Sequence, residues 1–229
     1  TAVLDEVAKN IRIGMSTADI DDIVYTFTKE HGGIPAPLNY QGFPKSVCTS
    51  INNEVCHGIP DKNIILQEGD IINVDVSTIL DGYFSDASRM FKLGTVSDRA
   101  EKIVRVTEEC VNLGLAAAKP WGHLGDIAHA ISTHAHKNGY SVVEEIGGHG
   151  IGLAFHEDPF VSYVTPKGSE MLLVPGMIFT IEPMINEGSP DFFVDEDNDW
   201  TVYTIDDGLS AQIEYMVLVT NDGIEVLTK

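Results

Sequence analysis

The strongest constraint in the sequence is residues 71–91, where two β-rich runs flank Asp81-Gly82. This dipeptide suits the type I′ turn of a two-residue hairpin, because both central residues of that turn need a positive φ. The turn would set the opposing pairs of the hairpin as Leu80 with Tyr83, Ser77 with Asp86, and Asp75 with Ser88. Asp75 and Asp86 then become diagonal neighbours on one face, about 7–8 Å apart.

Two interpretations of these acids remain open at this point. Two carboxylates at such a distance can share a metal ion or hold two ions. Alternatively, Asp86 is a surface turn acid and Asp75 a core residue satisfied by hydrogen bonds. Val74 and Val76 point to the opposite face, so we expect them to anchor the hairpin in the core.

A faint internal repeat suggests how the rest of the chain is organised. The dipeptide Asp19-Ile20 recurs as Asp126-Ile127, and Gly32 recurs as Gly139 at the same offset along the chain. Each acid lies in the first turn of a predicted helix, and each glycine ends one. Two helices followed by strands, twice, predict an α+β fold of two halves related by a pseudo-twofold axis.

The second half is expected to be mainly β after its helices. Period-2 and β-branched runs predict strands at Val142–Gly147, Gly150–Phe155, Met177–Ile185, Thr201–Ile205, Ala211–Val219 and Ile224–Leu227.

Composition argues against several functional classes. The formal charge is −21, with 35 acidic against 14 basic residues, so binding to a phosphate backbone is not expected. No apolar run approaches the roughly 20 residues that cross a bilayer. Three cysteines are too few for a disulfide framework and indicate a reducing cytoplasm. The first residues already have helical spacing, so we expect the natural chain to begin earlier.

Three later stretches place an ionisable residue where the local pattern predicts burial. His149 lies in the glycine-rich run 147–152, Glu182 lies in an otherwise apolar strand, and Glu214 lies in an alternating strand. Each of these residues alone is more often a paired polar core residue than a ligand.

Together with the hairpin acids they form a candidate metal-binding set: Asp75, Asp86, His149, Glu182 and Glu214. Unpaired carboxylates about 5 Å apart would repel by roughly 3 kcal/mol per pair at an effective dielectric near 20. Two divalent cations would balance four carboxylates and activate a water for hydrolysis. Oxygen and nitrogen ligands without thiolate suit Mn, Fe(II), Co or Zn.

Seven motifs resemble those of bacterial type I methionine aminopeptidases, in the same order, from about Asn10 onward. They are Val55–Pro60, Asn73–Val76, Ser85–Phe91, Gly148–Gly152, Phe155–Pro159, Phe179–Met184 and Ser210–Glu214. The resemblance implies the pita-bread (creatinase/aminopeptidase) fold, with two halves around a curved antiparallel sheet. It also implies one catalytic domain over 1–229, with halves of roughly 1–95 and 96–229.

The resemblance assigns a role to each candidate ligand. Asp75 would chelate one of two divalent metals, and Asp86 and Glu214 would bridge both. His149 and Glu182 would complete the second site, and Glu182 would also shuttle the proton.

The resemblance also implies substrate-binding residues. His57 and His156 would contact the substrate, stabilise the tetrahedral intermediate and assist the leaving amine. Positions that resemble the methionine side-chain pocket of the family are Tyr40, Phe43, Cys48, Phe155 and Trp200. Tyr215, directly after Glu214, should face away from the metals.

The implied activity is removal of the initiator methionine from nascent peptides with a small second residue, including peptides at the ribosome, by a cytoplasmic monomer. One alternative is an X-Pro aminopeptidase or prolidase-like hydrolase of the same fold, and another is a non-catalytic peptide-binding relative. A thiolate metal site at Cys48, Cys56 and His57 is disfavoured, because the Cys-x-x-Cys spacing is missing. His129, His134 and His136 are best interpreted as surface residues of a helix.

Overall fold

Antiparallel pairing organises the fold, which the computed structural model describes over residues 1–229. The helices are α1 (Ala2–Asn10), α2 (Thr17–Glu30), α3 (Asp98–Ala117) and α4 (Leu124–Lys137). The first eight strands are β1 (Ile34–Pro35), β2 (Cys48–Ile51), β3 (Glu54–Cys56), β4 (Ile71–Leu80), β5 (Tyr83–Lys92), β6 (Ser141–Val142), β7 (Gly148–Gly150) and β8 (Glu157–Val161). The remaining strands are β9 (Ile178–Ile181), β10 (Met184–Asn186), β11 (Phe192–Val194), β12 (Val202–Thr204), β13 (Ser210–Gln212), β14 (Glu214–Val219) and β15 (Ile224–Val226).

Nine strands form the main sheet in the order β1-β4-β5-β14-β9-β7-β8, with β2 beside β4 and β15 beside β14. Two smaller sheets have the orders β13-β10-β6 and β11-β12-β3. The mixture of helices with antiparallel strands confirms the α+β class. None of the four helices combines the length and the apolar character that a membrane crossing needs.

The hairpin β4–β5 has the predicted register. Its opposing pairs include Leu80 with Tyr83, Ser77 with Asp86, and Asp75 with Ser88. Asp81 and Gly82 have φ values of 52° and 87°, as the turn requires. Val74 and Val76 are buried, which confirms that they anchor the hairpin.

The internal repeat is present in three dimensions. Helices α2 and α4 both contain 14 residues, and they are offset by the same spacing as the repeated sequence. In each helix the first-turn acid accepts a backbone hydrogen bond from the residue before the helix, Ser16 N to Asp19 at 2.7 Å and His123 N to Asp126 at 3.0 Å. Isolated β-bridges join Ser16 to Ile65 in the first half and His123 to Leu172 in the second. The two bridges are separated along the chain by the same number of residues as the two helices.

Helices cover one side of the main sheet. Leu4 and Ile20 of the first helix pair pack with Val74, and Ile127 of the second pair packs with Phe179 in a separate cluster. Because side chains alternate along a strand, neighbours of these core residues, such as Asp75, point to the opposite face.

Two predicted strands are interrupted. Met177–Ile185 is two strands, β9 and β10, separated at Glu182 and Pro183, and Ala211–Val219 is broken at Ile213. Pro183 has no backbone N–H to donate to a ladder, which favours the first break. After each break the chain changes sheets, since β9 and β14 belong to the main sheet while β10 and β13 pair in a small one.

The prediction around the glycine-rich run was wrong. Residues 151–156 are irregular rather than a strand, and β7 is limited to Gly148–Gly150. The strand Glu157–Val161 was not predicted, because it contains charged residues and Pro159. The predicted strand Val142–Gly147 is shortened to Ser141–Val142.

Candidate metal centre

The five candidate ligands lie together in one cavity of about 700 Å³ on the face of the sheet opposite the helices. They come from both halves of the chain and are Asp75, Asp86, His149, Glu182 and Glu214. The structure therefore brings these five side chains together in one place.

Strand register explains how the acids meet. Ser88 pairs with Asp75 on one side and with Glu214 on the other, so these three side chains form a row across β4, β5 and β14. Tyr215 pairs with Ile181, which places Glu182 next to Glu214 at the continuation of the same row. Paired residues of neighbouring strands point to the same face.

Close distances link the imidazole to this row. His149 Nε2 lies 3.8 Å from Asp86 Oδ2 and 3.6 Å from Glu182 Oε1. One ligand atom each from Asp86, His149 and Glu214 all lie within 4.8 Å of one another. Such a group is small enough to surround a single ion.

Two carboxylate oxygens in this cluster have no hydrogen-bond partner. Asp75 Oδ1 and Glu214 Oε1 are both buried and unpaired. A buried polar atom without a partner is strongly unfavourable, and an ionised one more so. Divalent cations would satisfy both oxygens, so the residues fit the metal-binding role that the sequence suggested.

The electrostatics of the site point the same way. Burial raises the pKa of Asp75 and Glu182, and burial together with the neighbouring carboxylates raises the pKa of Asp86 and Glu214. Burial lowers the pKa of His149, which favours the neutral imidazole that binds metals. The acids therefore resist ionisation together unless positive charge is supplied.

Hydrogen bonds orient three of these candidate ligands, two through neighbouring side chains and one through a backbone carbonyl. Ser77 Oγ donates to Asp86 Oδ1 at 2.7 Å, and Thr180 Oγ1 donates to Glu182 Oε1 at 2.6 Å. The His149 Nδ1–H donates to the Gly150 carbonyl at 2.9 Å, because a carbonyl can only accept. This tautomer leaves Nε2 as an acceptor facing the acids.

Tyr163 is a supporting residue that the sequence did not reveal. Its buried hydroxyl accepts the Glu182 backbone N–H at 2.8 Å. A Cβ at Gly148 would lie 2.4 Å from this hydroxyl, so the glycine is needed for Tyr163 to approach. The sequence predicted that the glycine-rich run lets another group come close to its backbone. In the structure that group is the Tyr163 side chain of the same chain. No local pattern marks Tyr163, since its partners are distant in sequence.

Two further histidines line the same cavity beside the candidate metal ligands. His57 has a φ of 56° and is partly buried, and burial lowers its pKa. Burial and the nearby imidazoles of His149 and His57 lower the pKa of His156 to about 4. Its Nδ1 lies 2.9 Å from the Tyr40 hydroxyl, and its ring centroid is 4.3 Å from that of His149. Both rings are thus neutral near pH 7.

The cavity wall beside the acids is largely aromatic. All five residues expected in the side-chain pocket line the cavity: Tyr40, Phe43, Cys48, Phe155 and Trp200. The ring centroids of Tyr40 and Phe155 are 4.9 Å apart, and those of Phe43 and Trp200 are 5.1 Å apart. This wall offers a flexible apolar side chain a site next to the ionisable groups.

Cys56, His134 and Tyr215 lie outside the cavity. Cys56 packs in an apolar cluster with Val143 and Met184, and burial raises its thiol pKa well above the usual value. His134 lies on α4 and is 2.7 Å from Glu109 of α3. Tyr215 packs against the helix-side core and is absent from the cavity, as expected from alternation.

The chain is similar in sequence to a family of metallopeptidases. The sequence profile of metallopeptidase family M24 matches residues 1–221. The protein named methionine aminopeptidase A of Synechocystis is 52% identical over 227 residues, which cover 99% of this chain and 89% of that protein.

Solved structures confirm the pita-bread fold. The crystal structure of methionine aminopeptidase from Rickettsia prowazekii superposes with a TM-score of 0.97 at 43% identity, over 100% of this chain and 92% of that one. The prolidase of Pyrococcus horikoshii has a TM-score of 0.76 at 22% identity, over 100% of this chain and 58% of that one, and shows a shared fold alone. The family profile and relatives matched over nearly their whole length show that this chain belongs to metallopeptidase family M24 and, within it, to the methionine aminopeptidases.

Proposed function

We propose that this chain removes the N-terminal methionine from peptides whose second residue is small, with the help of two divalent metal ions. The observation that carries the proposal is the position of the unpaired oxygens Asp75 Oδ1 and Glu214 Oε1 beside an apolar pocket. The names of its relatives support the same activity.

The residues that would hold the metals are Asp75, Asp86, His149, Glu182 and Glu214. Asp86 and Glu214 would be shared between the two ions. Such ions, when bound, polarise a substrate carbonyl and lower the pKa of a coordinated water. The ligand types suit Co, Mn, Fe(II) or Zn.

Glu182 is the proposed proton carrier. Thr180 and Gln212 donate hydrogen bonds to its two carboxylate oxygens at 2.6 and 3.0 Å, so the carboxylate is held in one orientation. A carboxylate that is fixed in this way and has a raised pKa can accept a proton from the attacking water and return it to the leaving amine.

His57 and His156 are proposed to act as neutral hydrogen-bond donors to the substrate. Their lowered pKa values keep both rings uncharged at neutral pH. The bond between Tyr40 and Nδ1 of His156 leaves Nε2 as the ring nitrogen available to the peptide. A donor aimed at the scissile carbonyl would stabilise the negative charge that develops there.

The methionine side chain is proposed to bind against the aromatic wall. A thioether packs favourably on aromatic rings and tolerates an irregular pocket. Residues 1–229 would act as one catalytic domain, with halves of roughly 1–95 and 96–229. We propose that it works as a monomer in the cytoplasm, on peptides that include nascent chains.

A peptide assay tests this proposal. The protein is freed of metal with a chelator, loaded with Mn, Co or Fe(II), and assayed on Met-Ala-Ser, Leu-Ala-Ser and Ala-Pro peptides. The expected result is cleavage of Met-Ala-Ser only, dependent on added metal. Preference for Ala-Pro would favour an X-Pro peptidase, and absence of all cleavage would favour a peptide-binding protein.

Matched variants complete the assay. Glu182→Gln keeps the size of the side chain but removes the proton carrier, so a loss of at least about a hundredfold in kcat is expected. Glu225→Gln changes an exposed acid on β15 and should leave kcat unchanged. Activity that survives in Glu182→Gln would exclude the proposed role of this residue.

A further inference from the structure

Strand β14 changes its neighbour at Met216. Upstream, Glu214 pairs with Ser88 and Tyr215 with Ala87 on β5. The next pair in this register would be Met216 with Asp86, but the strands have separated, and Val217 pairs with Val226 of β15 instead. The main sheet therefore splits directly at Asp86.

The side chain of Thr228 fills this split. Its hydroxyl donates to the Asp86 backbone carbonyl at 2.7 Å and accepts the Met216 backbone N–H at 2.8 Å. Leu227 N also donates to the Met216 carbonyl at 2.8 Å, which fixes the approach of this segment. Thr228 is 7% exposed, so water does not readily replace its hydroxyl.

The hydroxyl takes the place of a missing ladder bond. An undistorted antiparallel pair would join the Met216 N–H to the Asp86 carbonyl directly. A hydroxyl can donate and accept at the same time, so it links the two groups across a wider gap.

We propose that Thr228 is a positioning residue for the metal centre. Its hydroxyl sets the spacing between the backbones that carry Asp86 and Glu214, the two acids proposed to be shared by both ions. The inference rests on the proposed function, since it assumes that these acids bind metal. Ligands must be held within about 0.5 Å of the productive geometry, so a change in backbone spacing weakens both metal sites together.

The same contact reaches the substrate pocket. Met216 packs in a small apolar cluster with Ala36, Ile151 and Phe155, of which Phe155 lines the cavity wall. Release of the Met216 N–H would let this cluster shift, so an altered KM is expected alongside weaker metal binding.

Three variants test the inference by calorimetric titration of the metal-free protein with Mn²⁺. Thr228→Val keeps the shape of the side chain without its hydroxyl, and its Mn²⁺ affinity should fall at least about tenfold. Thr228→Ser keeps the hydroxyl and should remain within about threefold of the wild type. Thr220→Val is the matched control, because Thr220 makes comparable hydroxyl bonds to Gly223 in the turn after β14 and should not affect Mn²⁺ affinity.

Each other outcome contradicts the inference. Unchanged Mn²⁺ affinity in Thr228→Val would overturn it, and so would an equal loss in Thr228→Ser or in Thr220→Val. If the wild-type chain binds no Mn²⁺, the titrations are repeated with Co²⁺, Fe(II) and Zn²⁺, and a wild type that binds none of these ions overturns the proposed function and the inference with it. Unchanged affinity in Thr228→Val, beside normal wild-type binding, rejects the inference alone.

A measurement on the wild-type chain covers the case in which Thr228→Val does not fold. Hydrogen exchange of the Met216 amide should slow at least about tenfold when Mn²⁺ is added, because metal ligation by Asp86 and Glu214 would close the split that Thr228 spans. The Gly223 amide, which donates to Thr220, should exchange at the same rate with and without Mn²⁺. Exchange at Met216 that does not respond to Mn²⁺ would overturn the inference.

Discussion

Asp75 and Glu182 occupy equivalent positions in the two halves of the molecule. Asp75 lies four residues after Ile71, the first residue of β4, and Glu182 lies four residues after Ile178, the first residue of β9. Gly69 and Gly176 precede these strands by two residues and have φ values of 94° and 99°. The same approach to the strand thus brings one acid from each half to a shared cavity, which places the proposed metal centre between the halves.

Replacement of Asp75 by asparagine should weaken metal binding without weakening the metal-free fold. Asp75 Oδ1 is buried and unpaired, so removal of its charge relieves repulsion among the acids. In denaturant unfolding with a chelator, Asp75→Asn should be at least as stable as the wild type.

Added Mn²⁺ should stabilise the wild type more than Asp75→Asn. At a hundred times its dissociation constant, a bound ion stabilises a protein by about 2.7 kcal/mol, and most of this gain should be lost in Asp75→Asn. The exposed Asp222→Asn is the control. Equal stabilisation of Asp75→Asn and wild type by Mn²⁺ would contradict the assigned role.

Removal of the Tyr163 hydroxyl should affect stability and turnover together. Tyr163→Phe leaves the Glu182 backbone N–H without its partner, at an expected cost of about 1–3 kcal/mol in the free energy of unfolding. A decrease in kcat should accompany it, because Glu182 loses its fixed position. Tyr140→Phe provides the control, since Tyr140 is buried in the same cluster. Equal kcat values in the two variants would argue against a positioning role for Tyr163.

Asp21 should control substrate affinity from outside the cavity. This buried carboxylate accepts the Ser46 backbone N–H at 2.7 Å and lies 3.3 Å from Lys45 Nζ, so it anchors the segment that carries Tyr40 and Phe43. Asp21→Asn weakens this anchor, and we expect KM for Met-Ala-Ser to rise about three- to tenfold with a smaller change in kcat. Steady-state kinetics of Asp21→Asn beside the exposed neighbour Asp22→Asn measure this difference. A kcat effect without a KM effect would refute the anchoring role.

Glu54 should make stability depend on pH. Burial raises its pKa from 4.5 to about 7, although Ile51 N–H and the Tyr203 hydroxyl donate to its carboxylate. The folded state therefore keeps a proton between these pH values that the unfolded state has lost. Stability from Glu54 is fully present below pH 4.5 and is lost as the pH rises through 7.

This loss of unfolding free energy amounts to about 3 kcal/mol, at 1.36 kcal/mol per pKa unit. Glu54→Gln should flatten the fall in unfolding free energy between pH 4.5 and 7, measured by denaturant titration at several pH values. Glu225→Gln should show the same change of unfolding free energy with pH as the wild type. If the unfolding free energy of Glu54→Gln falls with pH as steeply as that of the wild type, Glu54 ionises normally in the folded chain.

Local sequence predicted the parts of the fold that local chemistry controls. Asp81-Gly82 specifies its turn, and the turn fixes the register that brings Asp75 and Asp86 to one face. The capping acids and terminal glycines of α2 and α4 are also local signals, so the repeat was detectable. The five candidate ligands could be identified because each ionisable residue lies where the local pattern predicts burial. The resemblance to the family then implied that they form one site.

The remaining features depend on contacts between distant parts of the chain. Pro183 is a local signal for the break at Glu182. The break at Ile213 lies where the chain changes sheets, and strand propensity carries no information about this change. Tyr163 and Thr228 do not stand out in their own segments. Thr228 contacts Asp86, 142 residues away, so its place in the site follows only from the assembled sheet.

The most direct test of the account is the anomalous diffraction of a crystal soaked in Mn²⁺. We predict two anomalous peaks about 3.5–4 Å apart inside the cavity, one of them bonded to Asp75 Oδ1 and one or both to Glu214 Oε1. Peaks elsewhere on the acidic surface, or a cavity in which these two oxygens contact no metal, would contradict the assignment of this site as a dinuclear metal centre.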